Sequence, residues 1–257
     1  MTAGPAGTSG EMTLTEHLAE LRTRLVRIAL ALVAGAIVGY VVFPDLLEFL
    51  IAPYCDVPAS FRPTGADGGC ALVANRALEP FSVRIKVSLI FGAFVAGPII
   101  FYQLWRFITP GLTTRERRYS LPFVIGSQVM FAAGIAFAYL IIPKGLEILL
   151  GFGGEGIAPL LTADAYISFL LTTAIAFGVV FELPLVLILL ALVGVVNASG
   201  LRRFRPYALV LNVIVAALIT PTTDAVTLMF MAVPMALFYE GSILAAWLID
   251  RRRRKRA

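Results

Sequence analysis

The chain has 257 residues, 59% of them hydrophobic and 14% charged, with a formal net charge of +5. Its apolar residues come in long runs, which excludes an ordinary water-soluble enzyme domain and predicts membrane-spanning helices. His17 is the only histidine and has no second imidazole or carboxylate at ligand spacing, so neither a metal site nor a cofactor is expected.

Residues 1–12 are expected to be disordered, since this start is rich in Gly, Ala and Ser. Residues 13–250 are expected to form a single membrane domain. No cleavable signal peptide is expected, because the first apolar run is long enough to span and no clear small-residue cleavage site follows it. Thr13-Leu14-Thr15-Glu16 fits a capping box. It predicts a short amphipathic helix on which Leu14, Leu18, Leu21 and Leu25 form one stripe. Glu20 and Arg24 stand in the favourable i,i+4 order on another face.

Six spans are expected: Val26–Phe43, Val87–Ile108, Leu121–Ile142, Ala165–Val196, Tyr207–Thr220 and Ala225–Ile249. The longest connection, Pro44–Pro80, is expected to be broken into short pieces by Pro44, Pro53, Pro58, Pro63 and Pro80. Ala77–Val87 is expected to lead amphipathically into the second span, with Arg84 and Lys86 snorkelling. Pro98, Pro122, Pro143 and Pro234 are expected to bend spans, and Pro184 to kink the fourth. Gly92, Gly97, Gly126 and Gly134 are expected to let helices approach closely. The fifth span is short, about 21 Å as a helix against a hydrocarbon core near 30 Å.

Sixteen of the 21 Lys and Arg residues fall on one side of this scheme. They include Arg22, Arg24, Arg106, Arg115, Arg202 and the basic tail of residues 251–257. The excess predicts that both termini are cytoplasmic. The tail reads as a topology anchor that touches anionic headgroups, and nucleic-acid binding is set aside beside so many spans. Cys55 and Cys70 share the first outside loop, in an oxidising compartment, and a disulfide between them is expected; two free thiols are the alternative.

Glu182 lies deep in the fourth apolar run, where an ionisable group costs on the order of 2–3 kcal/mol and reads as functional. Read from spacing alone, Glu20 pairs with Arg24, and Glu116 neutralises Arg115 or Arg117. Asp224 reads as a helix cap and Glu240 as a polar site on the sixth span.

His17-Leu18-Ala19-Glu20-Leu21-Arg22-Thr23-Arg24-Leu25 resembles the amino-terminal motif of the TatC family, the multispanning receptors of the twin-arginine translocase. The resemblance continues through Gly97-Pro98 and the run from Tyr102 to Leu112, then Glu116-Arg117-Arg118. It includes Phe177-Gly178-Val179-Val180-Phe181-Glu182-Leu183-Pro184, Arg205-Pro206-Tyr207, Thr220-Pro221 and, less firmly, Asp224.

The resemblance implies an all-α, six-span receptor without enzymatic activity, set in the inner membrane and assembled in several copies. Glu20, Phe107 and Glu116 match positions that contact the Arg-Arg signal peptide of folded cargo, with Arg22 and Arg24 holding the acids in place. Glu182 matches a contact with TatA- and TatB-like single-span partners, and Asp224 and Glu240 are further candidates for that surface. Transport would draw on the proton-motive force, and no phosphate-binding loop is seen. The alternative is a proton-coupled small-solute transporter with Glu182 as the coupling acid.

Overall fold

The computed structural model describes residues 14–58, 70–108, 120–151, 161–219 and 225–254. These residues form nine helices: α1 (Leu14–Val41), α2 (Phe43–Cys55), α3 (Glu79–Val95), α4 (Gly97–Ile108), α5 (Ser120–Gly151), α6 (Ala163–Phe181), α7 (Leu183–Val193), α8 (Ala198–Ile219) and α9 (Ala225–Arg254). Among them there is no strand, and an isolated bridge joins Val73 to Thr162.

The helices pack α1 on α3, α5 on α6, and both α7 and α8 on α9, with α4 against α5. Two of these seams depend on glycine. A Cβ on Gly92 of α3 would stand 2.5 Å from the Ala36 nitrogen of α1, and one on Gly134 of α5 would stand 2.5 Å from the Phe177 oxygen of α6. Hydrogen in place of a methyl group lets these backbones touch, the usual device where lipid tails supply no hydrophobic drive between helices. Apolar side chains such as Leu30, Ile37, Leu140, Leu218 and Leu237 remain exposed around the bundle, as a lipid-facing surface requires.

Four helical stretches are long and apolar enough to cross a membrane: Leu18–Val41, Leu121–Gly151, Ala163–Val193 and Leu228–Arg253. The pair α3 and α4 makes a fifth if it is one span bent by 56°. The expected second span is therefore not one continuous helix. The chain turns at Ala96, next to Pro98, whose ring nitrogen has no hydrogen to continue the ladder. α8 has 22 residues but carries Arg202, Arg203 and Arg205 in its first half. Its uncharged part, from Tyr207, rises only about 20 Å.

Other boundaries also differ from the expectation. Pro44 and Pro53 do not break the first loop, because both lie within α2. Pro44 occupies the first turn, where a missing N–H costs little. The three arginines expected in a loop before the fifth span are helical, and only residues 194–197 separate α7 from α8. Gly194 permits that tight link with φ of +90°. α5 passes through Pro143 to Gly151, and α9 runs on through Arg254.

The core is layered along the bundle. At the disulfide end, Tyr54, Val87, Ile142, Leu146, Tyr166 and Ile167 are buried together. In the middle lie Ala138, Phe177, Phe181, Met231 and Met235. At the arginine-rich end, Ala191, Leu201, Tyr239, Ile243 and Ala246 close α7, α8 and α9 on one another.

Candidate functional site

At the arginine-rich end, α1 and α4 are joined through one guanidinium. Arg24 is buried, and its Nη2 donates to the Glu20 carboxylate one turn earlier. Its Nη1 donates to the Gln103 carbonyl of α4 at 3.3 Å. The i,i+4 spacing makes the first contact local, and the second fixes the acid against a neighbouring helix. The Glu20 side chain keeps 26% of its surface exposed. Its Oε2 is buried and its Oε1 accepts from Arg24, so it is a held carboxylate whose charge a guanidinium can match.

α4 is two-faced at this point. Gln103 is buried, and Phe107, half-buried, lies one turn further on the same side. Trp105 points the other way and stacks on Phe123 of α5, ring centroids 4.9 Å apart. Glu20, Arg24, Gln103 and Phe107 therefore belong to one side of the α1–α4 seam. Arg22 is exposed and makes no ion pair among the described residues. Leu18, Leu21 and Leu25 are exposed as well, so the predicted apolar stripe faces away from the protein.

Glu182 is the residue at which α6 ends and α7 begins. Its N–H bonds the Val179 carbonyl at 3.1 Å, a tightened last turn, and Pro184 follows within the first turn of α7. The break puts a carboxyl in the middle of a 31-residue apolar stretch. Ser127 of α5 is its polar neighbour. Oε1 is buried without a hydrogen-bond partner. Beside it Phe181 contacts Phe137 and Phe238, at 5.7 and 4.5 Å between centroids.

Glu240 is tied to Arg205 at 2.5 Å, which links α9 to α8. Glu116 and Asp224 lie outside the described residues. Cys55 and Cys70 are joined in a disulfide, Cα atoms 5.7 Å apart. Among the described residues no group of His, Cys, Asp and Glu is arranged to hold a metal ion. Gln103 and Ser127 were not singled out from the sequence. Both are polar residues within apolar runs, Ser127 directly before Gln128 and Gln103 three residues before Arg106, and that is the one signal that marks them.

The TatC family model, described as Sec-independent protein translocase protein, matches residues 16–234. A TatC from Frankia casuarinae is 45% identical over 94% of this chain and 67% of its own length. One from Aquifex aeolicus is 38% identical over 95% of this chain and 98% of its own length. A crystal structure of the twin-arginine translocase receptor TatC superposes with a TM-score of 0.76 at 36% identity, covering 91% of this chain and 100% of that one. The chain belongs to the TatC family of Sec-independent protein translocase proteins.

Proposed function

We propose that this chain is the signal-peptide receptor and scaffold of a twin-arginine translocase. Membership of a protein-translocase family makes it a transport component in the membrane. The finer reading is that Glu20, Phe107 and Glu116 receive the Arg-Arg pair of a cargo signal at the cytoplasmic face. The observation that carries it is the Glu20 side chain, held by a buried Arg24 against α4 and still about a quarter exposed. A planar guanidinium fork meets a carboxylate through two parallel hydrogen bonds, whereas a lysine ammonium offers only a point charge. Arg24 is also an exchangeable partner, since a cargo arginine can take over its contact with Glu20.

In the same reading the chain crosses the inner membrane six times, with both termini cytoplasmic. The bent α3–α4 pair and the short α8 count as spans. α8 is brought into the bilayer by tilt or local thinning and by arginines that reach the headgroups. Glu182, with Asp224 and Glu240 as further candidates, meets TatA- and TatB-like single-span helices, several copies assemble, and transport draws on the proton-motive force. The buried, unsatisfied Oε1 of Glu182 supports this, because a polar side chain on a partner helix would complete it. Family membership weighs against the solute-transporter alternative.

The test is photocrosslinking from positions 107 and 116 to an Arg-Arg signal peptide, with a Lys-Lys version as control. Crosslinks confined to Arg-Arg are expected. Crosslinks of equal strength to both peptides, or to neither, with the protein folded and its partners present, would defeat the recognition reading.

A further inference from the structure

α8 and α9 leave an open recess of about 780 Å³ at the arginine-rich end. Arg202, from the first turns of α8, and Arg251 and Arg253, from the last turns of α9, converge on it. Trp247 forms its wall, with the Arg251 guanidinium 5.4 Å from the ring centroid. One acid, Asp250, also lines it, and that carboxylate is engaged, since its Oδ2 accepts the Ala198 N–H of α8 at 3.0 Å. Arg253 donates to the Leu192 carbonyl at the end of α7. Arg202 makes no ion pair or hydrogen bond among the described residues.

We infer that this recess is a binding site for the phosphate-bearing headgroup of an anionic phospholipid. Three guanidiniums against one engaged carboxylate leave an excess of positive charge in a concavity. Topology anchoring needs basic residues near the membrane surface, but it does not require them to line a shared cavity. The forked N–H donors of arginine match phosphate oxygens. Location favours a lipid over a free anion. Arg205, three residues beyond Arg202, is the last charge before the apolar part of α8, and Trp247 stands three residues before Asp250, the first charge after the apolar part of α9. The recess therefore stands where a headgroup lies, with a tryptophan at the level such rings prefer. A seated headgroup would bridge α8 to α9 and, through Arg253, to α7.

The experiment uses the full chain, delipidated in neutral detergent. Its thermal unfolding midpoint is followed on adding phosphatidylglycerol, phosphatidylcholine or inorganic phosphate. Phosphatidylglycerol is expected to raise the midpoint by several degrees, and the other two to leave it in place. Arg202→Gln, which breaks no internal bond, is expected to lose most of that shift. Arg203→Gln removes the same charge from the same turn but outside the recess, and is expected to keep the shift. Arg253→Gln is expected to lose the shift too, from a lower starting midpoint, because it also frees the Leu192 carbonyl. An equal response to phosphatidylcholine would overturn the assignment. So would equal losses in the Arg202 and Arg203 variants, or a shift reproduced by inorganic phosphate alone.

Discussion

The Tyr139 hydroxyl of α5 donates to the Phe49 carbonyl of α2 at 2.8 Å, while the two rings stack with centroids 4.5 Å apart. Phe49 stands four residues before Pro53, so its carbonyl is the one that a proline nitrogen leaves without a helical donor. A side chain from another helix supplies the missing hydrogen. Pro53 can thus sit inside α2 without breaking it.

Removing that hydroxyl isolates the bond. Tyr139→Phe keeps the stacked ring and is expected to cost about 1 kcal/mol of stability. In a Pro53→Ala background the residue-53 N–H reaches the Phe49 carbonyl itself, and the cost of Tyr139→Phe should shrink. Unfolding curves of the four proteins in one detergent give the coupling. Equal costs in both backgrounds would show that the hydroxyl does not compensate for the proline.

Glycines in this chain should divide by what surrounds them. Gly92→Ala forces a methyl group against the Ala36 backbone, and such overpacking costs about 1–3 kcal/mol. Gly145, also helical, has nothing within 4 Å of a built Cβ. Gly145→Ala should be neutral or stabilising by up to about 1 kcal/mol through helix propensity. Thermal midpoints of the two variants test the α1–α3 seam directly, and a tolerated Gly92→Ala would mean that the seam has slack.

The disulfide closes a loop of sequence separation 15, just before the segment whose Val73 carbonyl accepts the Ala163 N–H at 2.8 Å. On the chain-entropy account a loop of that size is stabilised by about 3 kcal/mol. Reduction, or Cys55→Ser with Cys70→Ser, should lower the unfolding midpoint. The parent chain should take up no thiol alkylator until reductant is added. Alkylation of both cysteines without reductant would dismiss the bond.

Long-range periodicity was legible in the sequence, and local continuity was not. Apolar runs located the bundle, and the i,i+4 spacing anticipated the Glu20–Arg24 pair. Proline misled in both directions. Pro53 reads as a breaker because nothing near it in sequence announces Tyr139, which is 86 residues away. Pro98 reads as a bend within one span, yet it accompanies a 56° break. Arg202, Arg203 and Arg205 read as a loop because charge resembles loop composition, whereas Asn197 accepts the Gly200 N–H at 2.7 Å and starts a helix beneath them. Two tertiary partners, Gln103 for Arg24 and Ser127 for Glu182, lie on other helices, and spacing along the chain says nothing about such neighbours.

Glu182 should separate stability from assembly. A buried polar atom without a partner costs about 1–3 kcal/mol, so Glu182→Leu should raise the unfolding midpoint of the isolated chain. The same change should abolish co-purification with single-span partners, because the apolar side chain offers them no hydrogen bond. Glu182→Gln keeps hydrogen-bonding capacity and should retain part of the association. A Leu variant that is less stable than the parent would make Glu182 a structural acid of the α6–α7 break.

Glu20 makes the sharpest claim about recognition. Glu20→Gln preserves shape and removes the charge. Arg-Arg signal peptide should bind about tenfold more weakly, about 1.4 kcal/mol, while a Lys-Lys peptide should bind weakly to parent and variant alike. The chain should also lose some stability, since Arg24 is buried and surrenders its counter-charge. Binding must therefore be compared at a temperature where parent and variant are both folded. Arg24→Gln supplies the opposing arm. It frees the Glu20 carboxylate from its internal partner, and if cargo arginine exchanges with Arg24, the folded variant should bind Arg-Arg peptide at least as tightly as the parent. Equal losses in both variants would mean that the pair serves only to pin α1 to α4.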